Sequence, residues 1–149
     1  MKLIWKTQRR AAAGVLGTIM LTLALGTTQA QAAPAASGAW SKASPQAPGV
    51  QEAARFAVGR LNMMSADKYG AKLVRVVEAE TQLVAGTNYR VQFVMRPTVC
   101  TKDRLNEGCA FQPRPAEQRC TAVVYSRPWD NYRELTSYEC APVRTAQGT

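Results

Sequence analysis

Residues 73–96 hold two β-patterned runs joined by a link of three residues, Ala85-Gly86-Thr87. A link that short admits an antiparallel hairpin and no parallel pairing, because parallel strands need a crossover of roughly a dozen residues or more. Upstream, Leu73 to Val84 mixes β-branched and charged residues, as in a strand with one face partly solvated. Downstream, Tyr89, Val91, Phe93 and Met95 alternate with Arg90, Gln92, Val94 and Arg96, so this strand has one apolar face. The bend, Gln82-Leu83-Val84-Ala85-Gly86, is apolar where hairpin ends are normally polar. Gly86 accounts for the turn, since a residue without Cβ accepts a positive φ. It does not account for Leu83, Val84 and Ala85, which read as a surface that another molecule covers.

The folded part of the chain is expected to begin well after its first residue. Lys2, Lys6, Arg9 and Arg10 precede an apolar run from Ala11 to Leu25, and Ala30-Gln31-Ala32 places small residues where a signal peptidase reads. Residues 1–32 are therefore expected to be a removed secretory signal. The apolar run is shorter than the roughly 20 residues a membrane-spanning helix needs, and no later segment could span a membrane. Residues 33–149 are expected to form a single domain. Removing the leader takes four of the 19 Lys and Arg and none of the 10 Asp and Glu, lowering the formal charge from +9 to +5. That remaining charge is scattered, without basic runs or interleaved aromatics, which argues against a nucleic-acid partner.

Four cysteines, Cys100, Cys109, Cys120 and Cys140, lie in the C-terminal half. None is spaced like a zinc-ligand pair and the chain has no histidine, so neither metal nor cofactor is expected. An even count behind a secretory leader predicts disulfides. Three pairings are possible, and the sequential one, Cys100 with Cys109 and Cys120 with Cys140, closes the shortest loops. The missing histidine also removes any Ser-His or Cys-His pair, and nothing marks a pocket for paired carboxylates. An enzyme is not expected.

In chain order, Ala33 to Pro48 is rich in Ala, Ser, Pro and Gly, with Gly38 and Trp40 its two notable positions. Val50, Ala53, Ala54, Ala57, Val58, Leu61 and Met64 then recur at helical spacing and predict an amphipathic helix, with Gln51, Glu52, Arg55 and Arg60 opposite. The alanines let such a helix lie close to a sheet. After the first hairpin, Arg96-Pro97 is expected to end the strand, and Cys100 to Arg119 reads as a long polar connection fastened by its cysteines. Cys120 to Ser126 and Tyr132 to Cys140 are predicted strands joined by Arg127-Pro128-Trp129-Asp130-Asn131. Trp129 repeats the oddity of the first bend, a large apolar side chain on a turn. Two such tips on neighbouring hairpins suggest a ridge that docks into something concave.

These residues resemble the secreted, two-disulfide (type 2-like) cystatins, inhibitors of papain-like cysteine proteases. Gln82 to Gly86 matches the family's Gln-x-Val-x-Gly signature, Pro128-Trp129 its second-hairpin dipeptide, and Gly38 its N-terminal glycine. The four cysteines fall in the family's order, Phe56-Ala57-Val58 and Leu61-Asn62 are similar to its helix, and Asn88-Tyr89 follows the first hairpin as it commonly does. The likeness runs from about Gly38 to Cys140.

The resemblance implies an α+β fold, an antiparallel β-sheet wrapped around one central α-helix. It also implies reversible, tight-binding inhibition of papain-like proteases of the cathepsin class. Gly38, Gln82, Leu83, Val84, Ala85, Gly86, Pro128 and Trp129 would form a wedge that fills the enzyme's cleft and presents no bond for cleavage.

Three departures qualify the expectation. Gly38-Ala39 stands where the family often has Gly-Gly. Ala36 and Ser37 occupy trunk positions that potent relatives fill with bulky aliphatics, so a weak trunk contribution is expected. Ser65-Ala66-Asp67 stands where some relatives carry a legumain-inhibiting Ser-Asn-Asp, so no legumain inhibition is expected. The rival reading is a non-inhibitory, cystatin-like cationic antimicrobial or carrier module. Intact Gln82, Val84, Gly86 and Trp129 argue against it.

Overall fold

The computed structural model describes residues 38–114 and 117–143. In chain order these form β1 (Trp40–Ala43), α1 (Pro48–Met64), β2 (Tyr69–Val84), β3 (Gly86–Thr101), β4 (Gln118–Arg127) and β5 (Tyr132–Pro142). Short 3-10 turns occupy Lys102–Arg104 and Pro128–Asp130. The strands make one sheet in the order β1-β2-β3-β4-β5, each antiparallel to its neighbours. Every strand pairs beside the one that precedes it in sequence, so no strand crosses over another.

Pro48 opens the helix, where its missing N–H removes no helical bond. No side chain caps its N-terminus, so α1 depends largely on its packed face. Val50, Ala53, Ala54, Ala57, Val58 and Leu61 are buried along that face. They meet Val76 and Ala79 of β2, Val91 and Phe93 of β3, and Cys120, Ala122 and Val124 of β4 in one core. Met64 departs from the predicted stripe. At the helix's last residue it is half exposed. Asn62 ties the same end to the sheet, donating to the Ala71 carbonyl and accepting from the Ala71 N–H, both at 2.8 Å. At the other end of α1, Glu52 pairs with Arg133 of β5.

β2 and β3 are 16 residues each, and bulges interrupt β2 between Leu73 and Arg75 and between Val76 and Glu78. Bulges bend a strand and increase its twist, which suits strands of this length to wrapping around a helix.

Two further sequence expectations are corrected. β3 does not end at Arg96-Pro97 but continues to Thr101, pairing Pro97 with Ala71 and Thr101 with Tyr69. β4 pairs with β3 only as far as Met95. Pro97 therefore stands beyond that ladder, where a missing N–H breaks no bond. The supposed polar connection is also laced onto the end of β3. Val99 N–H donates to the Ala110 carbonyl at 2.9 Å and Gln112 N–H to the Pro97 carbonyl at 3.0 Å, while Cys100 is bonded to Cys109. The Phe111 ring lies between Lys72 and Arg96, with centroid distances of 5.3 and 5.4 Å. The second disulfide, Cys120–Cys140, spans directly opposed residues of β4 and β5.

Candidate functional site

The register of β2 and β3 closes Leu83 on Thr87 and Val84 on Gly86, leaving Ala85 alone at the bend. The side chains nearest the bend are left in solvent. Leu83 is 62% exposed and Val84 41%, although both are aliphatic. The backbone below them is held firmly. Gln82 lies opposite Asn88 in the register, and Asn88 Nδ2 donates to Gln82 Oε1 at 2.8 Å. Gln82 Nε2 in turn donates to the Gly38 carbonyl at 2.8 Å, and Gly38 N–H donates to the Leu83 carbonyl at 2.9 Å. The glutamine is thus a bracket that joins the N-terminal segment to the first hairpin. Gly38 has φ +91° with nothing within 4 Å of where a Cβ would stand, so its requirement is conformational.

Gly86 has both requirements. Its φ is +122°, and a Cβ there would lie 2.6 Å from the Ser126 carbonyl oxygen and 2.9 Å from the Tyr125 ring. Both neighbours belong to the end of β4, so this glycine lets the first hairpin press against the second one close to its tip. The Tyr125 hydroxyl donates to the Ala85 carbonyl across the same contact.

β4 runs out through Arg127 into the turn Pro128-Trp129-Asp130, which Asn131 ends in the left-handed conformation, φ 50°, with its N–H on the Pro128 carbonyl at 3.1 Å. Asparagine tolerates that conformation better than most residues. Trp129 is 69% exposed.

Gly38, Gln82 to Gly86 and Pro128-Trp129 therefore stand at one end of the sheet as a protrusion. Grooves beside α1 and the start of β2 lie away from it. Among the described residues no cluster of His, Cys, Asp and Glu could hold a metal ion.

The profile of the Cystatin domain family matches residues 38–129. The chain belongs to the cystatin family. Bovine (Bos taurus) cystatin-C is 41% identical over 96 residues, covering 62% of this chain and 65% of that protein, so the alignment leaves about a third of it unmatched. Mouse (Mus musculus) cystatin-C is 38% identical over 107 residues, covering 69% and 76%. The crystal structure of dimeric human cystatin F superposes with a TM-score of 0.68 at 25% identity, over 80% of this chain and 98% of that one. Cystatins are inhibitors of cysteine proteases and not enzymes. The matched region begins at Gly38 and ends at Trp129, the two outer members of the protrusion.

Several cystatin residues that matter here were not singled out for the edge from sequence. Asn88 completes the Gln82 bracket, and its place six residues on, across a tight hairpin, is the signal that could have found it. Tyr125, Arg127 and Asn131 support the second tip; Asn131 acts within the turn itself, while the pairing of β4 with β3 and β5 places Tyr125 and Arg127. Trp40 pairs opposite Gln82 and stacks under Arg90, whose guanidinium carbon is 4.0 Å from the ring centroid. Arg90 in turn pairs with Glu80 at 2.8 Å. Beside the second tip, Tyr132 donates its hydroxyl to Glu134 at 2.8 Å; that bond, then burial and the carboxylate's charge, holds the phenol above its ordinary range. Ala36 and Ser37, the trunk residues, lie outside the described residues.

Proposed function

We propose that this cystatin inhibits papain-like cysteine proteases of the cathepsin class by reversible insertion of its three-part edge into the enzyme's active-site cleft. One observation carries the reading. Leu83, Val84 and Trp129 are among the exposed large apolar side chains, and Leu83 and Val84 stand on backbone already braced by Gln82, Asn88, Gly38 and Tyr125. Apolar side chains on a rigid protrusion bind with little loss of conformational freedom, so more of their burial survives as affinity. Leu83, Val84 and Ala85 supply the middle of the wedge and Trp129 a broad anchor beside Pro128. Gly86 allows the tight path, and Gly38 lets the N-terminal trunk turn toward the cleft. An interface of ordinary size would bury about 1,600 Å² in total. No peptide bond needs to be offered for cleavage, so the inhibitor leaves intact.

Residues 1–32 serve as the removed leader of a secreted protein and residues 33–149 as its single domain. The basic and apolar order of the leader and the two disulfides support this. The mature chain has no cofactor, nucleic-acid or membrane partner. Ala66 lacks the carboxamide that an asparagine-selective protease recognises, so legumain is not a target.

The test is titration of the mature chain against papain, a cathepsin panel and legumain, beside Trp129→Ala and Val84→Asp. The parent inhibits papain, Trp129→Ala weakens inhibition about 30-fold, as befits loss of an anchor worth about 2 kcal/mol, and legumain is unaffected. Absence of papain inhibition by the parent at micromolar concentration would transfer the case to a non-inhibitory cationic role. Tight legumain inhibition would overturn the Ala66 reading.

A further inference from the structure

Pro128, Trp129 and Asp130 are all exposed, and the turn's one backbone bond is its own closure from Asn131 N–H to the Pro128 carbonyl. A tip held only by itself would leave Trp129 free to sample many directions. Arg127 supplies an external hold. As the last residue of β4 it pairs with Tyr132 across the hairpin. Its guanidinium carbon lies 5.0 Å from the Tyr132 ring centroid and 6.0 Å from that of Tyr125, and the two rings meet edge to face at 6.2 Å. Its Nε is shielded from solvent and stands 3.3 Å from the Asp130 carboxylate, an ion pair outside hydrogen-bond alignment.

The same side chain reaches the first hairpin. Arg127 Cγ lies 3.0 Å from the position of a Cβ on Gly86, and Tyr125, which flanks the guanidinium, donates to the Ala85 carbonyl. A chain of contacts thus runs from Ala85 and Gly86 through Tyr125 and Arg127 to Asp130, the neighbour of Trp129. Each link is modest, since half-exposed ion pairs and cation–π contacts are weak individually. Together they give the otherwise self-closed turn a fixed direction relative to the first tip.

We propose that Arg127 is a positioning residue of the inhibitory edge, clamped between Tyr125 and Tyr132 so that its pairing with Asp130 aims Trp129 in line with Leu83 and Val84. The proposal rests on the wedge reading for its consequence in inhibition, but its structural claim can be measured without any protease.

Two readouts separate these. The mature chain has two tryptophans, Trp40 and Trp129, so in a Trp40→Phe background Trp129 alone reports by time-resolved fluorescence anisotropy. Arg127→Leu, which keeps an aliphatic stem over Gly86, is expected to speed the local motion of Trp129 and raise the papain dissociation rate about tenfold, the combined scale of one ion pair and one cation–π contact. The melting temperature should move little. Asp130→Asn should reproduce part of both effects, and Arg127→Lys should recover part of what Arg127→Leu loses. In a Trp129→Ala background Arg127→Leu should change inhibition hardly at all, because its effect passes through the tryptophan. Unchanged Trp129 motion in Arg127→Leu overturns the proposal. So does an equally large loss of inhibition with Trp129 already removed, which would make Arg127 a direct contact. If the parent fails to inhibit papain, the wedge reading falls while the anisotropy still decides whether Arg127 positions the tip.

Discussion

A β-carbon at Gly86 would meet the carbonyl oxygen of Ser126, which is backbone and cannot rotate away. Relief would require β4 to move from the first hairpin, and a φ of +122° is itself strained for any residue with a side chain. Gly86→Ala is therefore expected to lower stability by about 1–3 kcal/mol and to weaken papain inhibition. Gly38→Ala, strained in φ but in open space, should cost less stability. Urea unfolding and papain titration of both variants check this, and equal losses would show that the Ser126 approach is unimportant. The sequence identified Gly86 as a turn residue from its place between two strands. Its second role depends on a neighbour 40 residues away, and no local pattern encodes that.

At the scale of elements, β5 is the weakly held strand. Leu135 alone among its residues is half buried, the remainder being exposed. The Cys120–Cys140 bond joins this strand to β4, and Cys120 is fully buried in the core. Replacing both cysteines by alanine is expected to cost about 3 kcal/mol by the loop-entropy estimate, and to weaken inhibition by loosening the hairpin that carries Trp129. Replacing Cys100 and Cys109 should cost about 0.7 kcal/mol less, because the loop is shorter. It should leave inhibition nearly intact, since that bond fastens the opposite end of β3. Denaturant unfolding with papain titration distinguishes the two, and equal loss of inhibition would contradict the assignment. The alternation of β3 and the helical stripe were legible because one face of each is apolar. β1 was not, since its four residues, Trp-Ser-Lys-Ala, are too few to carry a period. It exists because Trp40 to Ala43 find partners in Gln82 to Ala79.

For the whole molecule, the absence of histidine leaves few groups to titrate near neutrality. The shifted groups lie at the extremes. Lys42 holds the Glu78 carboxyl below its ordinary 4.5 through a hydrogen bond and its charge, and Glu78 raises Lys42 above 10.5 by the same contact. Tyr132 is raised above 10.0 by its bond to Glu134. The Glu78 contribution is present above its unfolded value and is lost as pH falls through the lower folded one. The Lys42 and Tyr132 contributions are present below their unfolded values and are lost as pH rises through the higher folded ones. Stability should therefore be nearly flat from about pH 6 to 9 and fall at both ends. A pH series of denaturant midpoints tests this, and a pronounced step near pH 6.5 would contradict it. Deletion of residues 33–37 should change papain inhibition less than about 100-fold, because Ala36 and Ser37 offer little apolar area to bury. A larger loss would restore the trunk to a leading role.

Local chemistry in the chain was enough to determine the hairpins, the helix, the apolar character of both bends and the family to which they belong. Each of these depends on residues close in sequence, through period, turn length or motif. Where β3 ends, how the 102–112 segment lies along it, and which side chains brace the edge were decided only in the folded state. Pro97 can stay in a strand because β4 has already left it, Gln82 becomes a bracket because Gly38 and Asn88 arrive on either side, and Arg127 reaches Asp130 between two rings that the register of β3, β4 and β5 brings together. These outcomes depend on distances between segments far apart in the chain, and packing of the sheet around α1 sets those distances.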